Sequence, residues 1–224
     1  MTALSTAPAA IVFDGTDLWV ANTTTVTEID PATGAWLQTL SGGSYGFDAI
    51  VGMTTDGSDV WVANSAADSV TEFDTATGAW IRTLSGATYH FNGPWGVDVD
   101  GSDVWVTNVD MDSVTVFDAA TGAWIRTLRR GYQFRGPVAI TFDGAHQWVI
   151  GPSRDRVTEL DDSTLALVQT EHTVANGYQT SPQALTSDGT HVWLANQGGD
   201  VVQSPNSVEE FDVSSGALVQ ILQG

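Results

Sequence analysis

The feature that most limits how this chain can fold is a unit that returns five times along its length. Asp-Gly stands at Asp14, Asp56, Asp100, Asp143 and Asp188, at steps of 42 to 45 residues, and five residues after each Asp comes Trp19, Trp61, Trp105, Trp148 or Trp193. A second Asp follows in every copy, at Asp30, Asp74, Asp118, Asp161 and Asp212. In three copies it leads into Thr-Gly-Ala-Trp, ending on Trp36, Trp80 and Trp124, with Leu167 and Leu218 in the other two. A fixed period of this length marks a repeat architecture in which each unit buries its apolar surface on its neighbours.

Each unit reads as four short strands. In the second copy they are expected at residues 51–55, 60–64, 70–73 and 79–84, separated by turns rich in Asp, Ser and Gly. The run Val60-Trp61-Val62-Ala63 is apolar at successive positions, so both of its faces require cover. No stretch shows a helical period. About 43 residues holding four strands is the size of a propeller blade, and a ring removes the open ends that a stack would keep. The prediction is therefore all-β: a five-bladed β-propeller with four antiparallel strands per blade. It is one domain over 1–224, with blades near 8–41, 50–85, 94–128, 137–171 and 182–224. Pro8, Pro94, Pro137 and Pro182 each lie six residues before their Asp-Gly and mark where first strands begin. The alternative is that the five units are a portion of a six- or seven-bladed ring.

Composition removes several function classes. The 7 basic and 27 acidic residues give a net charge of −20, and lysine is absent. Such a surface repels phosphate backbones and anionic bilayers, so neither nucleic acid nor membrane is an expected partner. With no cysteine there is no thiol nucleophile, disulfide or thiolate metal site. No Gly-x-Ser-x-Gly elbow is present, and the Gly-Gly pairs at Gly42 and Gly198 lack the strand-to-helix setting of a phosphate loop. No apolar run is long enough to span a bilayer, and residues 1–10 have no signal-peptide pattern.

The run G-P-W-G-V-D-V-D-G-S-D-V-W-V-T-N from Gly93 to Asn108, followed by S-V-T-V-F-D from Ser113 to Asp118, resembles the repeats of NHL and YncE-type propellers. It is also similar to the streptogramin lyase group, whose repeats carry a comparable G-P-x-G-I…D-G…W pattern. The resemblance runs from Pro8 to Leu222 and implies a propeller, a bacterial source and an extracellular or periplasmic setting. It leaves the activity open, because that superfamily includes lactonase-like enzymes, a lyase and pure binding modules. The lyases resemble metal-assisted enzymes that use paired His and a Glu near the centre of one face. Here His146 and His191 fall in Asp-Gly turns, whereas His90 and His172 belong to different interblade loops without a His-x-Glu or Glu-x-His motif. No catalytic residue carries over, and no cofactor or metal is expected.

Function on a repeated scaffold concentrates where one copy departs from the others. Five of the seven arginines fall between positions 129 and 156: Arg129, Arg130 and Arg135 before blade four, and Arg154 and Arg156 in its next loop. Arg156 replaces Ser69, Ser113 and Ser207, and Gly151 replaces Asn64, Asn108 and Asn196. Such a cluster suits capture of a carboxylate or phosphate by forked hydrogen bonds. The plainer reading pairs these arginines with Asp112 or Asp155. Trp95 and Asp98 break the pattern of the first strand and, with His90, are expected near one channel mouth. There they would hold a small polar ligand or a sugar, or else plug the channel. Residues 197–207 form a lengthened loop, either a partner-contact element or a tolerated insertion. The pairs Tyr45/Phe47, Tyr89/Phe91 and Tyr132/Phe134 recur in register and read as wedges between blades, and the five strand-two tryptophans as core. Asp68, Asp110 and Asp112 read as turn formers rather than a calcium loop.

The sequence thus favours a monomeric, non-catalytic binding or scaffold propeller that presents loops to a protein, peptide or glycan. The alternatives are a metal-assisted lyase or lactonase-type enzyme near Asp98 and His90, and a structural unit that assembles into a larger ring.

Overall fold

A computed structural model describes residues 7–172, 174–175, 178–198 and 206–223, with the backbone alone at residues 154, 174–175 and 178–180. These residues build five antiparallel sheets in which each strand pairs with the next along the chain. Sheet one comprises Ala10–Phe13, Leu18–Ala21, Val26–Ile29 and Trp36–Leu40. Sheet two comprises Ile50–Thr55, Asp59–Asn64, Ser69–Asp74 and Trp80–Ser85, within two residues of the expected bounds. Sheet three holds Pro94–Val99, Asp103–Asn108, Ser113–Asp118 and Trp124–Leu128, and sheet four Ala139–Phe142, His146–Gly151, Arg156–Asp161 and Leu167–His172. Sheet five holds Tyr178–Ser187, His191–Gly198, Ser207–Asp212 and Leu218–Gln223. It also carries a two-residue strand, Val174–Ala175, on its first edge. The only helical elements among the described residues are two 3₁₀ turns, Val109–Met111 and Pro152–Arg154.

The chain forms two compact units, Met1–Val106 with Thr115–Arg126 and Thr107–Val114 with Thr127–Gly224. In the first, alternation along a strand sends successive side chains into different cores. Val60 and Val62 join Trp19, Ala21 and Phe73 in one buried cluster. Trp61 and Ala63, from the same strand, join Val104, Val106 and Phe117 in the next. The Trp19 ring lies 4.8 Å from Phe73 of sheet two. The second unit repeats this device, with Trp148 at 5.8 Å from Phe211. Four of the five strand-two tryptophans are fully buried, as expected of core. Trp193 departs from that expectation. It is only partly buried, and the His191 ring lies against it at 5.6 Å.

The five-residue step from Asp to Trp has a direct cause. Asp14 accepts the Thr16 and Asp17 amides with one carboxylate oxygen at 2.7 and 2.8 Å, closing the turn. Its other oxygen accepts the Trp19 indole N–H at 2.7 Å. The same bond joins Asp100 to Trp105 at 2.9 Å and Asp143 to Trp148 at 2.6 Å. One side chain therefore shapes the turn and satisfies a buried donor. The second Asp shapes the other hairpin: Asp118 accepts the Thr121 amide at 2.7 Å, and Gly122 N–H returns to the Asp118 carbonyl at 2.8 Å. The Thr121 hydroxyl, and then the Thr121 amide, donate to the ionised carboxylate and hold the Asp118 carboxyl below its ordinary range.

The aromatic pairs pack loops onto sheets, as their register suggests. Tyr45 and Phe47 stack at 5.0 Å, and the Tyr45 hydroxyl donates to the Gly78 carbonyl at 2.6 Å. Tyr89 reaches Gly122 at 2.7 Å and Tyr132 reaches Leu165 at 2.9 Å. Fourth strands add a second tie. Gln169 donates to Glu159 of its own sheet at 2.7 Å and to the Gly216 carbonyl of sheet five at 2.8 Å. First strands approach so closely that a Cβ on Gly52 would lie 2.2 Å from the Trp95 carbonyl oxygen.

Two stability predictions follow from these turns. Asp143→Ala removes three hydrogen bonds and strands the buried Trp148 N–H, at an expected cost of about 2–4 kcal/mol. Asp56→Ala should cost about 1 kcal/mol less, because Asp56 holds only the Ser58 and Asp59 amides and the Trp61 N–H has no acceptor. Urea unfolding of the two variants measures the difference. Asp59 is pushed up to about 6, first by burial and then by the charges of Glu72, Asp56 and Asp74. Folding therefore favours its protonated form. The associated stability is full below the ordinary carboxyl value near 4 and is lost as pH rises through 6. Asp59→Asn should raise stability at pH 7 by about 1 kcal/mol, allowing for solvent screening, and change little at pH 4. Unfolding midpoints at the two pH values check this.

Candidate functional site

Three loops of the second unit meet around one depression: residues 109–112, 129–136 and 152–156. The cavity measures about 420 Å³, and Arg129, Arg130, Arg135 and Arg156 all line it, with Met111, Asp112, Gly131, Gln133 and Phe134. The structure thus gathers four of the five arginines singled out in the sequence. The fifth, Arg154, closes the 3₁₀ turn Pro152–Arg154, and its side chain lies outside the described residues.

The loop that carries three of them is built on the same plan as its counterparts. Gln133 sits at φ 61°, where Gly46 has φ 62° and His90 φ 55°, between the stacked Tyr and Phe. Asp112, in the left-handed region at φ 48°, accepts the Gly136 amide at 2.8 Å. Asp68 does the same for Gly93 at 2.8 Å. These aspartates tie one loop to the next, which is the turn role expected of them.

The change from Asn to Gly at position 151 makes room for the arginine loop. In sheet two, Asn64 fills this place with a side chain that accepts the Asp48 amide at 3.4 Å and donates to Thr71 at 2.9 Å. In sheet four a mere Cβ on Gly151 would meet the Arg135 carbonyl oxygen at 2.5 Å and its carbonyl carbon at 3.1 Å. The Arg135 backbone has taken the space that the amide side chain uses elsewhere.

The charges are unevenly matched. Arg135 pairs with Asp112 at 3.0 Å, with side chains 47% and 44% exposed, so the pair adds little stability. This is the pairing anticipated for Asp112. Asp155 has no such bond to an arginine among the described residues; burial raises its carboxyl, an effect opposed by His172. Arg156 donates one terminal N–H to the Gln133 amide oxygen, while its Nε is buried without an acceptor. Arg129 and Arg130 are exposed and have no ion-pair partner among the described residues. Four guanidinium groups therefore face one carboxylate in a chain of net charge −20. The placement of the arginines against the repeat pointed to this spot. Nothing in it pointed to Gln133 and Met111 as walls, or to the Arg156 Nε.

The other predicted group is not brought together. Trp95 and Asp98 lie on the first strand of sheet three, Pro94–Val99, with Trp95 exposed and Asp98 within 3.5 Å of the Thr54 hydroxyl. The His90 ring instead packs edge-on against Trp124 at 6.2 Å, on the fourth strand at the opposite edge of the sheet. Three strand spacings of about 4.8 Å separate those edges. His90 adopts its place because the loop needs a left-handed residue between Tyr89 and Phe91. In the lengthened loop of sheet five, residues 199–205 lie outside the described residues.

Comparison with solved structures gives matches over nearly the whole chain. A hydrazine synthase structure from Kuenenia stuttgartiensis superposes with a TM-score of 0.79 at 18% identity, covering 96% of this chain and 66% of that one. A streptogramin B lyase superposes at 0.76 and 15% identity, covering 98% of this chain and 70% of the lyase. A catalytically inactive virginiamycin B lyase from Staphylococcus aureus, solved with quinupristin, gives 0.75 and 16%, covering 100% and 72%. The fold is a β-propeller. Its five four-stranded units are blades, as the repeat implied. The chain spans about two thirds of the hydrazine synthase chain and somewhat more of the lyases. No protein-family model matches the sequence, and neither does any curated protein. At these identities the likeness concerns fold alone.

The room at position 151 can be tested by filling it. Gly151→Ala should destabilise the propeller by about 2 kcal/mol, more than an ordinary Gly→Ala exchange on a strand, because the obstacle is backbone rather than a movable side chain. Thermal unfolding of the variant measures it.

Proposed function

We propose that this propeller is a non-catalytic binding module that captures an anionic group of a protein, peptide or glycan in the blade-four arginine pocket. The observation that carries this reading is the concentration of four of the chain's seven arginines around one cavity, three of them without an ion-pair partner among the described residues. Arginine is suited to the task because its fork of N–H donors matches carboxylate and phosphate oxygens. A structural purpose for the cluster would place an acid against each guanidinium, and among the described residues only Asp112 does so. The net charge of −20 repels polyanions at long range, so the pocket would select ligands whose charge is local enough to enter it.

The lyase alternative rests on fold likeness to streptogramin and virginiamycin B lyases. The residues it would use here, Asp98 and His90, are directed to opposite edges of blade three. No group of three His, Cys, Asp or Glu suited to a metal occurs among the described residues.

Arg129→Ala combined with Arg130→Ala is expected to weaken binding of acidic peptides and uronate glycans at least tenfold and to leave the unfolding temperature within about 2 °C, since both side chains are exposed. Unchanged affinity across a salt titration would exclude the pocket as the binding site.

A further inference from the structure

The arrangement inside the pocket distinguishes among anions. Resting on the anion-binding reading above, we infer that the site is built for a dianionic phosphate monoester rather than for a carboxylate. The reason lies in which donors are already engaged. Asp112 sits on Arg135 at 3.0 Å and is itself fixed by the Gly136 amide at 2.8 Å. A carboxylate ligand that approached Arg135 would exchange one carboxylate for another, with little gain. The donors left over are those of Arg129 and Arg130 and the second terminal nitrogen of Arg156, which has no bond among the described residues. They belong to three different side chains on two loops, so they are not a single fork that a planar carboxylate would match. A phosphate monoester presents three terminal oxygens arranged tetrahedrally and carries close to two charges at neutral pH. It can accept from three separate guanidinium groups while the Arg135–Asp112 pair stays closed.

Two further features agree with this choice. The Arg156 guanidinium is held in place by the bond one terminal nitrogen makes to Gln133, so its other terminal nitrogen is positioned in advance. The pocket also offers no exposed aromatic face: Phe134 is 4% exposed, and Tyr132 is tied to Leu165 through its hydroxyl. Recognition therefore falls on the charged head rather than on a ring stacked beside it. The two sources of such a head are a phosphorylated side chain of a peptide and a phosphorylated sugar.

Calorimetric titration of the full chain tests this, with inorganic phosphate, sulfate and acetate as probes. Phosphate should bind at least tenfold more tightly than acetate at pH 8. Its affinity should fall several-fold on going to pH 5.5, as the second proton returns. Sulfate keeps two charges throughout and should show no comparable fall. Arg156→Lys retains the charge but deletes the fixed guanidinium fork, and should lower phosphate affinity about tenfold with an unchanged acetate response. A phosphoserine peptide and glucose 6-phosphate carry the same head; binding of either supports the inference, and the tighter one identifies the source. Equal affinity for phosphate and acetate would overturn the inference and leave the anion-binding reading standing. Phosphate binding with neither ester accepted would also overturn it. Failure of all anions to bind would remove both.

Discussion

The structure depends on one contact: an indole driven from the second strand of a blade into the space before the next, as Trp19 meets blade two, Trp61 blade three and Trp148 blade five. A large aromatic fills that gap and buries much apolar area in a single side chain, but it brings an N–H into a place without water. At Trp19, Trp105 and Trp148 the Asp of the preceding turn answers this. Asp143, with one oxygen on two backbone amides and the other on Trp148, both bends the chain and removes the polar cost of the core. Covering each sheet on both faces is what forces strands such as Asp59–Asn64 to be apolar at consecutive positions. The same cover leaves few places for buried charge. Those that exist, such as Glu159 with Gln169 and Gly216, serve to tie one blade to the next.

Because cohesion comes from strands and short turns, the longer loops are relieved of it and one copy can change without harm to the others. Blade four shows how far this goes. The exchange of Asn for Gly at position 151 withdraws a side chain, the Arg135 backbone settles into the space, and the loop before blade four brings its arginines to face Arg156. The tie that holds this loop is shared with blade two, since Asp112 caps Gly136 as Asp68 caps Gly93. A site of distinct chemistry thus sits on an unaltered framework. Its likeness to lyase and hydrazine synthase propellers reflects that framework and not the loops.

Much of the fold was legible before any coordinates. The spacing of Asp14 to Trp19 records side chains that must touch across one turn, and that of Asp30 to Gly34 a backbone bond that closes another; such local contacts survive in a linear string. The arginine cluster was legible for a different reason: a break in a repeat stands out against four other copies. His90 is close to Trp95 and Asp98 in sequence but not in space. A left-handed backbone and the packing of Trp124 carry the imidazole to the far edge of its sheet. Trp193 was likewise assigned to the core by its register, and the structure leaves it partly exposed.

The sequence by itself determined the number of blades, their four-stranded make-up and the residues that turn the chain, because each is fixed by interactions within some 45 residues and is written five times. Only the tertiary structure decided which arginines share a cavity, that Asp112 already occupies one of them, and that a buried Arg156 donor stands without an acceptor. Those facts arise between loops that are separated in the chain and occur once, so no periodicity announces them. They depend on how closely two backbones approach, and that distance is set by packing.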